Sequence, residues 1–358
     1  MKFYSAQEIY RKIESPSLRL AAVKTVRALR TRYLLLRVDT NDACNLRCVM
    51  CNFSDPKRRP AATPMSEESF GRLAEQFFDK ARYLYLSCGA EPFVTANFDK
   101  LLDIAGAYDV PFTSYCTNAL LMKDKFIDAT LRNRVSEVII SVDGATAETY
   151  EVIRVGGRWA ILGERLTAFS EAKRLHDGPV PVTRFNFTVQ EGNRHELHAF
   201  VDWVAQWRPA TVQFRLFRSL PGAIKQHDDN ATLDALKSAL PSLRKKAEAA
   251  GFRLLTTDMP EDRTKRLGAD ASPFSGGLEA VDPASLDHVN CQLPWFNLYV
   301  TTNGNVRPCT VHQPVGNFMT QTFDEIENGA PMQSLRKSLT NTPDLICKRC
   351  QLTGESGA

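Results

Sequence analysis

The chain has 358 residues, a net charge of +4, 43% hydrophobic residues and 24% charged residues. This balance is ordinary for a soluble globular protein, and the length suits one large domain with an appendage. The small net charge gives no indication of a nucleic-acid partner, and neither a signal peptide nor an apolar run of membrane-spanning length is visible. Nine cysteines in such a chain favour a reducing, cytoplasmic compartment in which thiols serve metals or chemistry.

Residues 1–33 are basic and carry apolar residues between the positive charges. We predict a helical extension that packs beside the first strand and keeps its charges in solvent. Contact with a membrane surface or with RNA is the less favoured alternative.

Residues 34–40 predict a strand that leads directly into Cys44, Cys48 and Cys51. Three thiolates at the spacing C-x-x-x-C-x-x-C fit around one [4Fe–4S] cluster, which normally takes four cysteines. One iron is then open to an outside ligand, and an open iron is a place for chemistry. A zinc site is the alternative, but zinc usually requires a second cysteine pair or histidines at set spacings, and none lies nearby.

Strand-like and helix-like segments alternate from about residue 34 to 217, which predicts an α/β fold with parallel pairing. The predicted strands are 34–40, 83–87, 111–116, 137–142, 184–189 and 211–217. Six such units indicate a partial (β/α)6 TIM-like barrel, which we place at residues 34–255. Reactive residues in barrels lie at the carboxyl ends of the strands.

Helical patterns lie between the predicted strands. Ser66 is predicted to cap a first helix, and residues 196–207 carry apolar positions on one helical face. One more helix is predicted at residues 237–251, and a helical stretch is predicted at about residues 323–339. Residues 256–290 lose all periodicity and are rich in Asp, Gly, Pro and Ser, which is typical of a linker or a covering loop.

Three of the predicted strands end in short polar motifs. The second ends in Ser87-Cys-Gly-Ala-Glu-Pro92, the third in Cys116-Thr-Asn-Ala-Leu120 and the fourth in Ser141-Val-Asp-Gly144. A carboxylate fixed at a strand end, such as Glu91, can accept hydrogen bonds from an ammonium group. Each motif alone is a weak signal, but their position one strand after another behind the cysteine triad makes them strong.

With its cysteine triad and these strand ends, the chain resembles the radical S-adenosylmethionine (SAM) enzymes. The resemblance implies that SAM chelates the open iron and is cleaved to a 5′-deoxyadenosyl radical, which abstracts a substrate hydrogen. Met50 stands where the family usually has an aromatic residue, and a thioether can still pack against adenine. Phe53 stands where family members contact the adenine through their backbone.

The resemblance also implies the residues that hold SAM. Gly89, Ala90 and Glu91 match a Gly-Gly-Glu-Pro motif that holds the methionyl amino group, with Ala90 as the one departure. The family's remaining contacts, to the ribose and the methionyl carboxylate, fall on Asn118, Ser141, Asp143 and Arg154. Pairing on a helix surface accounts for Arg154 equally well.

Residues 291–358 predict a second cluster domain. Asn303-Gly304 lies between two apolar runs, which favours a hairpin that brings Cys291 near Cys309, and Cys347 and Cys350 follow in a C-x-x-C. A zinc ribbon is one possibility. The resemblance favours the shortened "twitch" form of the SPASM domain, with one auxiliary [4Fe–4S] cluster held by these four cysteines.

The two remaining cysteines are Cys88 and Cys116. Plain buried thiols are the commoner case. The alternative is that one of them donates a hydrogen atom to a substrate radical, which gives epimerisation instead of oxidation.

The resemblance covers most of the chain and leaves the reaction open. We expect an oxidoreductase that dehydrogenates a carbinol of a sugar or aminocyclitol, with a flavodoxin- or ferredoxin-type electron donor. The alternatives are a radical epimerase and a maturase of a ribosomally made peptide. A non-catalytic zinc protein on a barrel scaffold requires the triad and the strand-end motifs to coincide by accident.

Overall fold

The computed structural model describes residues 32–57, 63–176, 178–217, 230–257 and 291–348, with a few positions between 18 and 29. The predicted N-terminal helix, most of the predicted linker at 256–290, and Cys350 therefore lie almost wholly or wholly outside the described residues. Within the described part of the chain, no helix has both the length and the apolar character to cross a membrane.

One continuous sheet of ten described strands organises the molecule, in the order β10-β9-β8-β1-β2-β3-β4-β5-β6-β7. The strands are β1 Leu34–Val38, β2 Ala81–Leu86, β3 Phe112–Thr117, β4 Glu137–Ser141, β5 Val182–Val189, β6 Thr211–Leu216, β7 Arg253–Thr257, β8 Asn297–Val300, β9 Asn305–Arg307 and β10 Gly316–Asn317. Neighbours from β1 to β7 pair in parallel, and β8 pairs in parallel with β1. The predicted α/β class and partial barrel are confirmed.

Helices connect the parallel strands, and two further helices follow the last strand. They are α1 Glu67–Phe77, α2 Phe98–Gly106, α3 Asp124–Arg132, α4 Ala147–Ile153, α5 Trp159–Leu175, α6 Leu197–Ala205, α7 Asn230–Ala249, α8 Phe323–Asn328 and α9 Ala330–Thr340. Ser66 caps α1 as predicted, because its side chain accepts the backbone N–H of Ser69 at 3.1 Å.

Side chains along each strand alternate between two environments. On β5, Phe185 and Phe187 are fully buried and pack their rings against Trp203 and Phe200 of α6. Arg184 and its alternate neighbours point to the other side of the sheet, into the barrel. The main apolar core therefore lies between sheet and helices, whereas the barrel side of the sheet carries both polar and aromatic side chains.

The observed elements extend the predicted ones in three places. β7 is a seventh parallel strand that the sequence did not predict, and it covers the start of the expected linker. Helix α7 begins at Asn230, earlier than expected, and contains Pro241. The single helix expected after residue 323 is two helices, because the chain turns out of helical conformation at Gly329.

The C-terminal residues form a small unit on the β1 edge of the sheet. The predicted hairpin is present: β8 and β9 pair antiparallel, and Gly304 at the turn has φ +82°. Arg336 of α9 is buried and donates to the carbonyl of Pro294 and to the carboxylate of Glu327. These bonds fix the segment that follows Cys291.

Candidate active site and cluster centres

The cysteine triad lies on the loop that follows β1. Cys48 is buried, whereas Cys44 and Cys51 are partly exposed. The thiols are close enough to influence one another's charge, and burial raises the pKa of Cys44 to about 12 and that of Cys48 to about 11. Because both groups stay protonated at neutral pH, they become thiolates only when a metal displaces the protons.

Two backbone hydrogen bonds hold this loop against the end of α4 and the residues that follow it. The N–H of Arg47 donates to Val155 O at 2.9 Å, and the N–H of Val49 donates to Ile153 O at 3.0 Å. The hydroxyl of Tyr150, on α4, is fully buried beside Cys48 and has no hydrogen-bond partner among the described residues. An orphaned buried donor beside converging thiols fits a bound iron–sulfur cluster.

The loops that follow β2, β3 and β4 begin in strained backbone. Ser87, Ala119 and Asp143 have φ values of 52°, 65° and 66°. Non-glycine residues rarely adopt this left-handed conformation, and such residues cluster at functional sites. The three turns lie at the carboxyl ends of adjacent strands, which is where the sequence motifs were expected to meet.

Glu91 is buried at the centre of these turns. Its carboxylate accepts the Thr117 hydroxyl at 2.6 Å and the backbone N–H of Asn118 at 2.7 Å. Its own N–H donates to Ala43 O, one residue before Cys44. Burial raises the pKa of Glu91 to about 7 in spite of these hydrogen bonds. The carboxyl is therefore positioned between two strand ends and the cysteine loop.

Gly89 lies in a close approach between the turn and two side chains. A Cβ atom there would lie 3.1 Å from Asp39 Oδ2 and 3.3 Å from the Tyr299 hydroxyl. The N–H of Gly89 donates to Asp39 Oδ1 at 3.2 Å, and the Tyr299 hydroxyl donates to the other oxygen of the same carboxylate. Ala90 follows, half-buried, and leads into Glu91.

Asn118 and Ser141 reach the interior from β3 and β4. The Asn118 amide donates to Asn45 Oδ1 at 2.9 Å and lies 3.9 Å from Cys44 Sγ. The Ser141 hydroxyl is 3.4 Å from Cys116 Sγ. Phe53 is buried in the turn that follows Cys51. These expected SAM contacts are therefore brought to one end of the barrel.

Asp143 and Arg154 form a buried ion pair. Both Nε and Nη2 of Arg154 donate to Asp143 Oδ2, at 2.9 and 2.6 Å, and the N–H of Thr188 donates to Asp143 Oδ1. Burial opposes the guanidinium charge, but the neighbouring carboxylate raises the pKa of Arg154. Nη1 of Arg154 lies 3.9 Å from Cys48 Sγ.

The two remaining cysteines line the mouth of the barrel. Cys88 is exposed to solvent, yet desolvation raises its pKa to about 12. Cys116 is half-buried, and desolvation also raises its pKa. Neither thiol is ionised at neutral pH.

Several interior residues were not predicted from the sequence. Arg184 donates to Glu137 and to Gln213 Oε1, so a hydrogen-bonded chain links β4, β5 and β6. Asp39, which contacts Gly89, directly follows β1, so the rule that barrel residues act at strand ends would have found it. Its partner Tyr299 carries no comparable signal, because the contact depends on β8 pairing with β1.

The C-terminal centre brings together three of the four predicted cysteines. Burial raises the pKa of Cys347, and the thiols of Cys291 and Cys309 raise it further, so the three lie close together. Asn297 ties the hairpin to the Cys309 loop through a 2.8 Å bond to Pro308 O. Three converging sulfur donors fit an iron–sulfur cluster, and the fourth predicted ligand, Cys350, lies outside the described residues.

A histidine and an aspartate accompany this centre and were also missed. His312 Nε2 is 3.0 Å from Asp344 Oδ2, and the N–H of Cys347 donates to Asp344 Oδ1 at 2.7 Å. The backbone N–H of His312 donates to Cys309 Sγ at 3.3 Å. The pair therefore links the two segments that carry the cysteines, a contact that residue spacing does not reveal.

Comparison with known families agrees with this geometry. The profile of the radical SAM superfamily matches residues 38–204, and that of the SPASM iron–sulfur cluster-binding domain matches residues 291–351. The chain belongs to the radical SAM superfamily. A radical SAM domain with a SPASM domain implies SAM and two [4Fe–4S] clusters as its cofactors, and the two cysteine centres fit one cluster each.

Relatives of this radical SAM protein carry out different reactions. The GTP 3′,8-cyclase of Desulforamulus reducens is 25% identical over 85% of this chain and 88% of its own length. The mycofactocin maturase MftC of Mycobacterium ulcerans is 31% identical, over 40% of this chain and 38% of its own. The match to the crystal structure of Streptococcus suis SuiB bound to S-adenosylmethionine covers 94% of this chain and 74% of the SuiB chain. Its TM-score is 0.65 and the sequence identity is 16%. The structural likeness shows the shared fold.

Proposed function

We propose that this protein is a radical SAM oxidoreductase that dehydrogenates a carbinol of a sugar or aminocyclitol. The polar lining of the barrel supports the proposal. On adjacent strands, thiol, hydroxyl, amide and guanidinium groups face inward, and Cys116, Ser141, Arg184 and Gln213 are bonded to neighbours within this lining. A small substrate rich in hydroxyl groups can exchange hydrogen bonds with such a surface, whereas an apolar substrate cannot.

When bound, SAM and the two clusters supply a hydrogen-abstracting 5′-deoxyadenosyl radical and an acceptor for one electron. Oxidation of a carbinol to a carbonyl removes one hydrogen atom, one further electron and one proton from the substrate. The reaction therefore requires both the radical and the electron acceptor. We propose the shortened twitch form for the C-terminal domain, with Cys350 as the fourth ligand. A flavodoxin- or ferredoxin-type donor in the cytoplasm would supply the reducing electron.

Residues of the SAM site take distinct roles in this proposal. Glu91 holds the methionyl ammonium, because its buried carboxylate is directed by two strand ends. Backbone groups contribute the rest of that turn and the adenine contact. The remaining proposed SAM-site residues are Phe53, Gly89, Ala90, Asn118, Ser141, Asp143 and Arg154.

The test is product analysis with labelled substrates. Anaerobically loaded protein, SAM and dithionite are incubated with a panel of hexoses and aminocyclitols that carry deuterium on single carbinol carbons. We expect deuterium in 5′-deoxyadenosine for one labelled carbon, with a carbonyl product in equal amount. Deuterium transfer that yields no carbonyl compound would contradict dehydrogenation.

Epimerisation is the second candidate, because Cys88 and Cys116 lie at the barrel mouth. In that case the product has the mass of the substrate and takes up one deuterium from heavy water. The Cys88→Ala and Cys116→Ala variants separate the two reactions. A dehydrogenase keeps its carbonyl product in both variants, whereas an epimerase loses solvent deuterium uptake in one of them.

Peptide maturation is the third candidate, and two of the matched proteins suggest it. The matched relatives include a mycofactocin maturase, and SuiB has also been solved with its precursor peptide SuiA. Synthetic precursor peptides added to the same assay would show crosslinks or altered residues by mass spectrometry. Such products, with no turnover of any sugar, would replace the dehydrogenase proposal.

A further inference from the structure

Arg154 occupies a fixed place against the cysteine triad. It lies between Ile153 and Val155, the two residues whose carbonyls accept backbone hydrogen bonds from the cysteine loop. The position of its Cα relative to Cys48 is therefore set by the backbone on both sides. The side chain has little freedom, because only 10% of its surface is exposed.

The guanidinium lies between a thiol and a carboxylate. Nη1 is 3.9 Å from Cys48 Sγ, and Nε and Nη2 both donate to Asp143 Oδ2. Asp143 is fully buried and is held in turn by the N–H of Thr188 at 2.6 Å. A permanent positive charge is thus directed at one cluster-binding sulfur, and a negative charge directly behind it weakens its field.

We propose that Arg154 raises the reduction potential of the cluster on Cys44, Cys48 and Cys51, and that Asp143 limits this effect. Reduction adds one negative charge to the cluster, and a buried cation beside a ligand sulfur stabilises that charge. Charge and hydrogen bonds around the sulfurs are among the factors that set cluster potentials. Arg154 acts through Cys48 and is therefore a positioning residue.

This role differs from a contact to the SAM carboxylate. Three guanidinium contacts are already made within the protein, two to Asp143 and one to Cys48. A SAM-binding arginine affects SAM affinity, and a potential-setting arginine affects the redox midpoint even before SAM is added. The two roles are therefore separable by measurement, and the inference rests only on the family assignment of the cluster.

The experiment is a redox titration of the loaded protein, followed by electron paramagnetic resonance of the reduced cluster whose spectrum changes on addition of SAM. In Arg154→Gln the ratio of reduced to oxidised cluster at a fixed potential should fall about tenfold. This corresponds to a midpoint potential that is lower by ~59 mV for a one-electron couple. In Asp143→Asn the ratio should rise, because the arginine charge is less neutralised. Midpoint shifts of opposite sign in the two variants are expected only if Arg154 and Asp143 act through their charges.

Controls make each outcome decisive. Arg132 and Asp103 form an arginine–aspartate pair between α3 and α2, away from the triad, so Arg132→Gln should leave the midpoint unchanged. An unchanged midpoint in Arg154→Gln, or shifts of the same sign in both variants, would overturn the proposal. If Arg154→Gln does not retain iron, Asp143→Asn decides: a raised ratio supports the role, and an unchanged or lowered ratio refutes it.

Discussion

At the scale of single residues, Glu91 couples the SAM site to pH. Its pKa of about 7 means that the carboxyl is half protonated at neutral pH. Under the proposed role only the carboxylate binds the methionyl ammonium. SAM affinity should therefore fall about tenfold for each pH unit below about 7 and level off above it. Equilibrium binding of SAM to loaded protein across that range measures the slope.

Glu196 provides the matched control for this pH dependence. It is also a buried glutamate, in the short 3-10 turn before α6, and it accepts hydrogen bonds from Ala145, Thr146 and Thr149. Glu196→Gln should keep the slope, whereas Glu91→Gln should abolish it. Affinity that does not change with pH in the wild type would remove Glu91 from the ammonium contact.

The same carboxyl affects the stability of the cofactor-free fold. The folded pKa of Glu91 lies above the ordinary glutamate value of 4.5 that applies to the unfolded chain. Between these two values the folded state binds more protons than the unfolded state. The contribution of Glu91 is therefore fully favourable below the unfolded pKa and is lost as the pH rises through the folded value. Near neutral pH, burial of the Glu91 carboxylate therefore lowers the free energy of unfolding of the cofactor-free protein.

At the scale of elements, the strand-end turns store strain that can be measured at Ala119. A left-handed alanine costs about 1–2 kcal/mol, and glycine avoids this cost. Glycine also loses the buried methyl group, about 0.8 kcal/mol, and adds chain entropy. The terms nearly cancel, so Ala119→Gly should change the free energy of unfolding by less than about 1 kcal/mol.

Ala129 is the matched control for this turn. It is also fully buried but lies inside helix α3. Ala129→Gly should lose about 2 kcal/mol, since glycine costs ~1 in a helix and the methyl group adds ~0.8. Urea unfolding followed by circular dichroism compares the two variants. Equal losses would show that the turn at Ala119 is not strained.

The elements could be predicted where sequence alone dictates them. Six strands and the hairpin were found because apolar alternation and turn residues are local signals. Strand β7 was missed because Arg253-Leu-Leu-Thr-Thr is short, with no alternation, and it is a strand only through pairing with β6. The strand-end motifs located Glu91 and Asn118, but not the side chains that contact them.

Contacts between distant segments explain the remaining gaps. The pairing of Arg154 with Asp143 and Cys48 depends on three loops that meet in space. Asp39 and Tyr299 are brought together only by the alignment of β8 with β1, in which Tyr299 lies beside Arg37. Hydrophobic pattern and residue spacing carry no record of such contacts, because they depend on tertiary packing.

At the scale of the whole molecule, the C-terminal unit and the barrel share one sheet. β8 pairs with β1, the strand that leads into the cysteine triad. At the end of this pair, the Tyr299 hydroxyl donates to Asp39, and Asp39 accepts the N–H of Gly89. The turn proposed to hold the SAM ammonium is therefore braced by a residue of the auxiliary-cluster region.

This brace predicts that a change in the C-terminal unit weakens SAM binding in the barrel. Tyr299→Phe removes a donor from a carboxylate that orients the Gly89 turn. A hydrogen bond to a charged group contributes about 1.5–3 kcal/mol, and part of that loss should appear as weaker SAM binding, about fivefold or more. Tyr115→Phe also deletes a buried tyrosine hydroxyl, bonded to Thr130 at 2.8 Å, but on the helix side of β3. It should lower stability and leave SAM affinity unchanged, so equal SAM affinity in both variants would show that the two regions share a sheet without energetic coupling.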